Sequence, residues 1–126
     1  MVRDMLTELY EALKKNEYLK KYSIKSFKRP EKLADKDPSI VIVPVTSPQQ
    51  IVRGSNTSLA KLFLYQINCE STNRIEAKTM AREVEKTMES KGFYQSAGEL
   101  DQYVEHIRRY VDARTYRGRS ALYEDY

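Results

Sequence analysis

Two hydrophobic periods meet near the middle of this chain. Between Ser58 and Glu70, Phe63, Tyr65, Ile67 and Cys69 alternate with Gln66, Asn68 and Glu70, the period of two of a half-buried strand. Beyond it Ala77, Met80, Ala81, Val84 and Met88 recur at i, i+3, i+4, i+7 and i+11, one stripe of an α-helix. Both ends of that helix are marked. Asn73 and Glu76 have capping-box spacing, and Gly92 followed by Phe93 suits a Schellman closure in which Phe93 touches Met88. The pattern predicts a strand over 58–70 and a helix over 74–91 that covers it.

Upstream, Val2, Leu6, Leu9 and Leu13, widened by Met5, Tyr10 and Ala12, predict a helix over 2–22 with one side on a sheet. Lys14, Lys15, Lys20 and Lys21 then complement its negative pole, or form a basic patch. Residues 23–27 can make a short strand burying Ile24, and 28–38, with two prolines, reads as a connection. Ser39-Ile-Val-Ile-Val-Pro-Val45 carries β-branched residues on both faces, which predicts a central strand over 39–45 covered on two sides. Regular pairing should stop near Pro44. Residues 46–57 read as a loop whose middle, Gln49-Gln50-Ile51-Val52-Arg53, sets apolar residues among polar ones. Such a loop is either an arm that contacts a partner or a plain connection.

The last third reads in two ways. Leu100, Tyr103, Val104, Ile107 and Val111 fit a helix stripe; strands over 93–103 and 108–117 joined by a turn suit the tyrosine, threonine and alternating arginine. The acidic end, 120–126, is expected to fray.

Composition narrows the class. A length of 126 residues predicts one domain, 1–126. Hydrophobic residues are 40% and charged ones 32%, a balance suited to a domain with much surface or one completed by neighbours in an assembly. The net charge of +4 is only a mild attraction to polyanions. Cys69, the sole cysteine, falls on the apolar face of its strand, so a buried thiol in a reducing cytoplasm is the plain reading. No apolar run reaches transmembrane length and Arg3 and Asp4 break any signal-peptide core, so a soluble protein without a membrane partner is expected.

Reactive chemistry finds little support. His106 stands alone beside Glu105, without further ligands at metal spacing, and a Cys69–His106 pair would need the thiol to leave the core. Four scattered glycines form no phosphate loop. The chain is expected to have no catalytic residue, metal or cofactor and not to be an enzyme. One constellation stands out: Arg108-Arg109-Tyr110-Val-Asp-Ala-Arg114-Thr-Tyr116-Arg117-Gly-Arg119. Arginines spaced with tyrosines can pair with phosphates and stack on bases in a sequence-tolerant nucleic-acid module. They can equally keep an edge strand soluble.

Leu62-Phe-Leu-Tyr-Gln-Ile-Asn68, Asn73-Arg-Ile-Glu-Ala-Lys78, Gly92-Phe-Tyr-Gln-Ser-Ala-Gly98, Asp101-Gln-Tyr103 and Asp112-Ala-Arg-Thr-Tyr-Arg-Gly118 follow one another in an order and spacing that resembles a known family. It is the tail terminator (tail completion, head–tail joining) proteins of long non-contractile-tailed bacteriophages and prophages, and the likeness extends over most of the chain. The resemblance implies an α/β (α+β) fold, with a mainly antiparallel sheet of about four to five strands and an N-terminal and a central helix packed on it. It favours the hairpin over the helix for the last third. It further implies a homo-hexameric ring at the head-proximal end of the virion tail, assembled from protein made in the host cytoplasm. Such a ring contacts the tail tube protein and the head connector or stopper, and DNA passes its lumen without sequence-specific binding. On that reading Gln49, Gln50, Ile51 and Arg53 are candidates for tube or lumen contact. Arg108, Arg109, Arg114, Tyr116 and Arg117 are candidates for an edge where subunits pair. A different neck protein, a connector or stopper, would share the same assembly logic.

Overall fold

A computed structural model describes residues 2–28, 37–54 and 56–126. Helix α1 spans Met5–Lys15 and is followed by a 3₁₀ turn, Leu19–Lys21. Strands β1 (Ser23–Ser26), β2 (Ser39–Pro44), β3 (Gln49–Gly54) and β4 (Thr57–Ser71) come next. Helix α2 (Arg74–Ser90) and strands β5 (Tyr94–Val104) and β6 (Arg109–Arg119) complete the chain. The fold is α+β, with an N-terminal and a central helix on a sheet of six strands ordered β1-β2-β4-β6-β5, with β3 also on β4. β1 runs parallel to β2 and every other pair is antiparallel.

The core lies on one face of the sheet. Leu9 and Leu13 of α1 and Met80, Val84 and Met88 of α2 meet Ile40, Ile42, Phe63, Ile67 and Cys69. Fully burying one such side chain contributes about 1.5–3 kcal/mol. Helix α2 is fixed at both ends. The Asn73 side chain accepts from the amides of Ile75 and Glu76. Glu76 does not reach back to Asn73; it accepts from the Ser71 hydroxyl, and Ser71 accepts from the Asn73 amide in its place. At the other end Gly92, at φ 81°, lets the Phe93 amide reach the Met88 carbonyl at 2.9 Å and its own amide reach Glu89, a Schellman closure.

Several expectations are corrected. The first helix stops at Lys15 rather than near residue 22, because the Asn16 side chain accepts from the amides of Tyr18 and Leu19 and starts a new turn. Its buried stripe is Met5, Leu9 and Leu13, and Val2 is outside the helix and exposed. For β2, by contrast, the expected cover on two sides is seen: the strand lies between β1 and β4, Ile40 and Ile42 join the core, and Val41, on the opposite face beside Lys25 and Asn68, is buried too. The connection expected over 28–38 falls mostly outside the described residues.

Residues 46–57 are not a loop. β3 pairs with Thr57–Leu62 of β4, and β2 pairs with Tyr65–Glu70 of the same strand. β2 and β3 thus follow one edge of β4 in succession, interrupted between Pro44 and Pro48, neither of which has an amide to donate. Val45 bridges the gap, its amide donating to the Leu64 carbonyl at 2.9 Å. The last third is a hairpin, but β6 is no edge: it lies between β4 and β5, and β5 is the outer strand. The tail is not frayed either. Ser120 and Lys61 exchange bonds at 2.9 and 3.0 Å, and the Tyr123 amide reaches the Leu59 carbonyl at 2.8 Å.

Candidate assembly surfaces

The N-terminal half of β4 and its partner β3 form a two-stranded arm beyond the region the helices cover, with residues 120–123 docked along its other side. Six residues of strand reach about 20 Å. Gln49, Gln50 and Arg53 are exposed and Ile51 is half-buried. The Arg53 guanidinium donates to the Gln50 side chain at 3.2 Å and to the Asn56 carbonyl at 3.4 Å. Between Gln49 and Lys61 the sequence has two cations, Arg53 and Lys61, and no carboxylate.

The residues expected to form a subunit-pairing edge are divided by the fold. Arg109 and Tyr116 are buried, Tyr116 completely. Arg114 is half-buried and committed: it donates to Asp112 at 2.8 Å and to Glu85 at 3.2 Å. An interior strand gives both rows of its backbone groups to its neighbours, so β6 has no free edge with which to extend the sheet. Only Arg108, in the turn before β6, and Arg117, near its far end, are exposed. Arg117 and Arg119 have no ion pair among the described residues.

A groove of about 530 Å³ opens at the base of the arm. Its walls are the start of α1, Phe27, the Pro44–Pro48 interruption and the aromatic rings of Phe63, Tyr65 and Tyr126. The tail builds one wall. The Tyr126 ring meets Phe63 edge-on at 5.3 Å, its hydroxyl donates to Glu8 at 2.9 Å, and the Arg3 guanidinium lies 4.7 Å over its face. Arg3 also binds Glu8 at 2.8 Å and Glu124, which raises its pKa, the Glu8 bond being the main cause. Sequence reading missed this groove. Phe27, Val45 and Tyr126 are far apart in sequence, and the one local sign was the pair of prolines flanking Val45.

The groups considered for chemistry are apart. Cys69 is fully buried on the core face and burial pushes its thiol pKa up, while His106 is in the exposed turn between β5 and β6. Among the described residues no cluster of His, Cys, Asp and Glu could hold a metal, and no helix is long and apolar enough to cross a membrane.

No family model matches the sequence, and no curated protein matches it. Ten chains of solved structures match. One belongs to the virion of native gene transfer agent (GTA) particle, with a TM-score of 0.58 and 14% sequence identity, covering 88% of this chain and 90% of that one. At that identity the likeness is one of fold.

Proposed function

We propose that this protein is a structural component of a phage-like virion that caps the tail tube as a ring. In this role it ends tube growth and offers the head connector a surface, without catalysis. The observation that carries the reading is the shared fold with a chain of a gene transfer agent virion over nine-tenths of that chain's length. The order of segments from Leu62 to Gly118 that resembles tail terminators supports the finer role. An exposed arm and a separate groove supply the two unlike patches that a head-to-tail ring requires. The partners are then other copies of the chain, the tube protein and the head-side connector, with DNA in the lumen.

The test is tube assembly. Purified protein added to growing tubes of the cognate tube protein should leave short tubes, each with a ring at one end under negative stain. Tubes of unchanged length and bare ends would overturn the reading. Arg117 and Arg119, exposed beside Tyr94 and without carboxylate partners among the described residues, support a second reading as a sequence-tolerant polyanion binder. Retention of oligonucleotides at low salt, lost steeply as salt rises, would favour it.

A further inference from the structure

Ile75 on α2 and Tyr94 and Tyr103 on β5 are exposed singly, whereas five other large apolar side chains left exposed fall in two groups toward the arm. Phe27 and Val45, 64% and 49% exposed, rim the groove. Val52 and Tyr123, 42% and 80% exposed, stand on the arm and on the segment docked along it, with Leu122 beside them. One patch is concave and the other projects. Val52 is also held at φ 50°, a left-handed conformation that is costly for a β-branched residue, and its side chain is left exposed.

Charge distinguishes the patches in the same sense. From Gln49 to Ala60 the arm carries Arg53 and no acid. At the groove Asp4 is part of the wall, Glu8 and Glu124 stand beside it on Arg3, and Asp125 is next in the chain, against Arg3, Lys28 next to Phe27, and Lys61, whose ammonium donates to the Tyr126 carbonyl at 3.1 Å. Acids thus outnumber bases by four to three where the groove opens, and the arm beyond Lys61 is cationic. Opposite charge around apolar surface steers an encounter and fixes its register.

We propose that the arm of one copy seats in the Phe27–Val45 groove of a second copy of the same chain, with Val52 as the inserted side chain. This rests on the ring reading above and names the contact that repeats around it. The contact is heterologous: each copy gives an arm on one side and accepts one on the other. The interior strand β6 takes no part, since its core-facing side chains are already committed within the chain.

Disulfide trapping tests the contact. Cys69, the sole native cysteine, is buried and unreactive, so introduced thiols report alone. Val52→Cys and Val45→Cys proteins are mixed in equal amounts and oxidised. The mixed disulfide should exceed either like-with-like disulfide about tenfold, and a chain carrying both substitutions should form a ladder that ends in a closed species. Adding Phe27→Glu to the Val45→Cys protein should abolish trapping while leaving the thermal midpoint unchanged, because that side chain is mostly outside the core. A mixed yield no higher than for Val52→Cys with Ile75→Cys, an exposed position on α2, would overturn the proposal. The two readings fail separately. Tubes that are sealed without this cross-link leave the ring and remove the contact; a cross-link without sealing leaves the contact and removes the tail role.

Discussion

Lys78 of α2 and Asp112 of β6 are joined at 2.7 Å, and the same ammonium reaches Asp101 of β5 at 2.7 Å. One lysine thus ties the central helix to an interior strand and to the outer strand. Asp112 is buried and also accepts from Arg114 at 2.8 Å, so two cations converge on one carboxylate. Most of β5 is exposed and its ladder with β6 is broken by two register shifts. These ion pairs offset the weakness of a bulged strand.

Replacing Asp112 with Asn should therefore destabilise the fold by about 3 kcal/mol, the lower end of the range for breaking a buried ion pair, because Lys78 and Arg114 retain some access to water. Lys78→Met should cost less, since Arg114 still neutralises Asp112. Urea unfolding checks both: the midpoint should fall with the slope unchanged. An Asp112→Asn midpoint equal to that of the parent would show that the network adds nothing.

Asp101 gives the outer strand a pH dependence. Hydrogen bonds from Arg74 and then Lys78 hold its carboxyl down to about 2, against an ordinary value of 3.8. The folded chain prefers the ionised form more strongly than the unfolded chain does. This contribution is therefore complete above about pH 4 and is lost as pH falls toward 2. The group is exposed, so the effect is local to β5. Amide exchange in β5 should quicken in that acid window and lose this dependence in Asp101→Asn. A carboxyl resonance titrating near 4 would contradict the pairing.

Gly118 lies beneath the ring of Phe93. A methyl group there would come within 2.6 Å of two ring carbons, and Phe93 is completely buried at the close of α2. Gly118→Ala should cost about 1–3 kcal/mol through overpacking. Phe93→Leu alone should also destabilise, yet the double variant should recover part of the loss, a coupling that a double-mutant cycle measures. Simple addition of the two losses would mean the ring moves aside freely.

What could be read from the sequence was local. The alternation from Phe63 to Cys69 and the stripe from Ala77 to Met88 report burial directly, and Asn73 and Gly92 mark ends because capping acts within one turn. Asn16 ended α1 against an uninterrupted apolar pattern through a side-chain bond that periodicity does not register. Misreading β3 came from Pro48, Gly54 and Asn56, which suit a loop and serve equally well to break and turn a hairpin. Long-range placement was not legible. Whether Tyr116 faces a partner or the core depends on β4 lying beside β6, and Phe27, Val45 and Tyr126 meet only after the sheet forms. Hence the candidate arm residues stayed at the surface, while much of the candidate edge went inside.

The tail offers the clearest separation of contributions. Tyr126 adds a ring contact to Phe63, a hydroxyl bond to Glu8 and a face for Arg3, whereas the backbone of residues 120–123 is held independently by Leu59 and Lys61. Tyr126→Phe removes only the hydroxyl bond and should weaken the docked tail by about 1 kcal/mol. Tyr126→Ala removes the ring as well and should release Arg3 from its stacked position. Burial, and then the Glu8 bond, raise the phenol pKa to about 12 from 10.0. The neutral form is the one the fold favours, so this contribution is full below pH 10 and fades as pH climbs toward 12, a dependence that Tyr126→Phe should erase. Hydrogen exchange at Tyr123 and Ser120 reads the outcome, with protection falling from parent to Tyr126→Phe to Tyr126→Ala. Equal protection in all three would mean that backbone pairing with the arm alone fixes the tail, and that the groove wall formed by Tyr126 is dispensable to it.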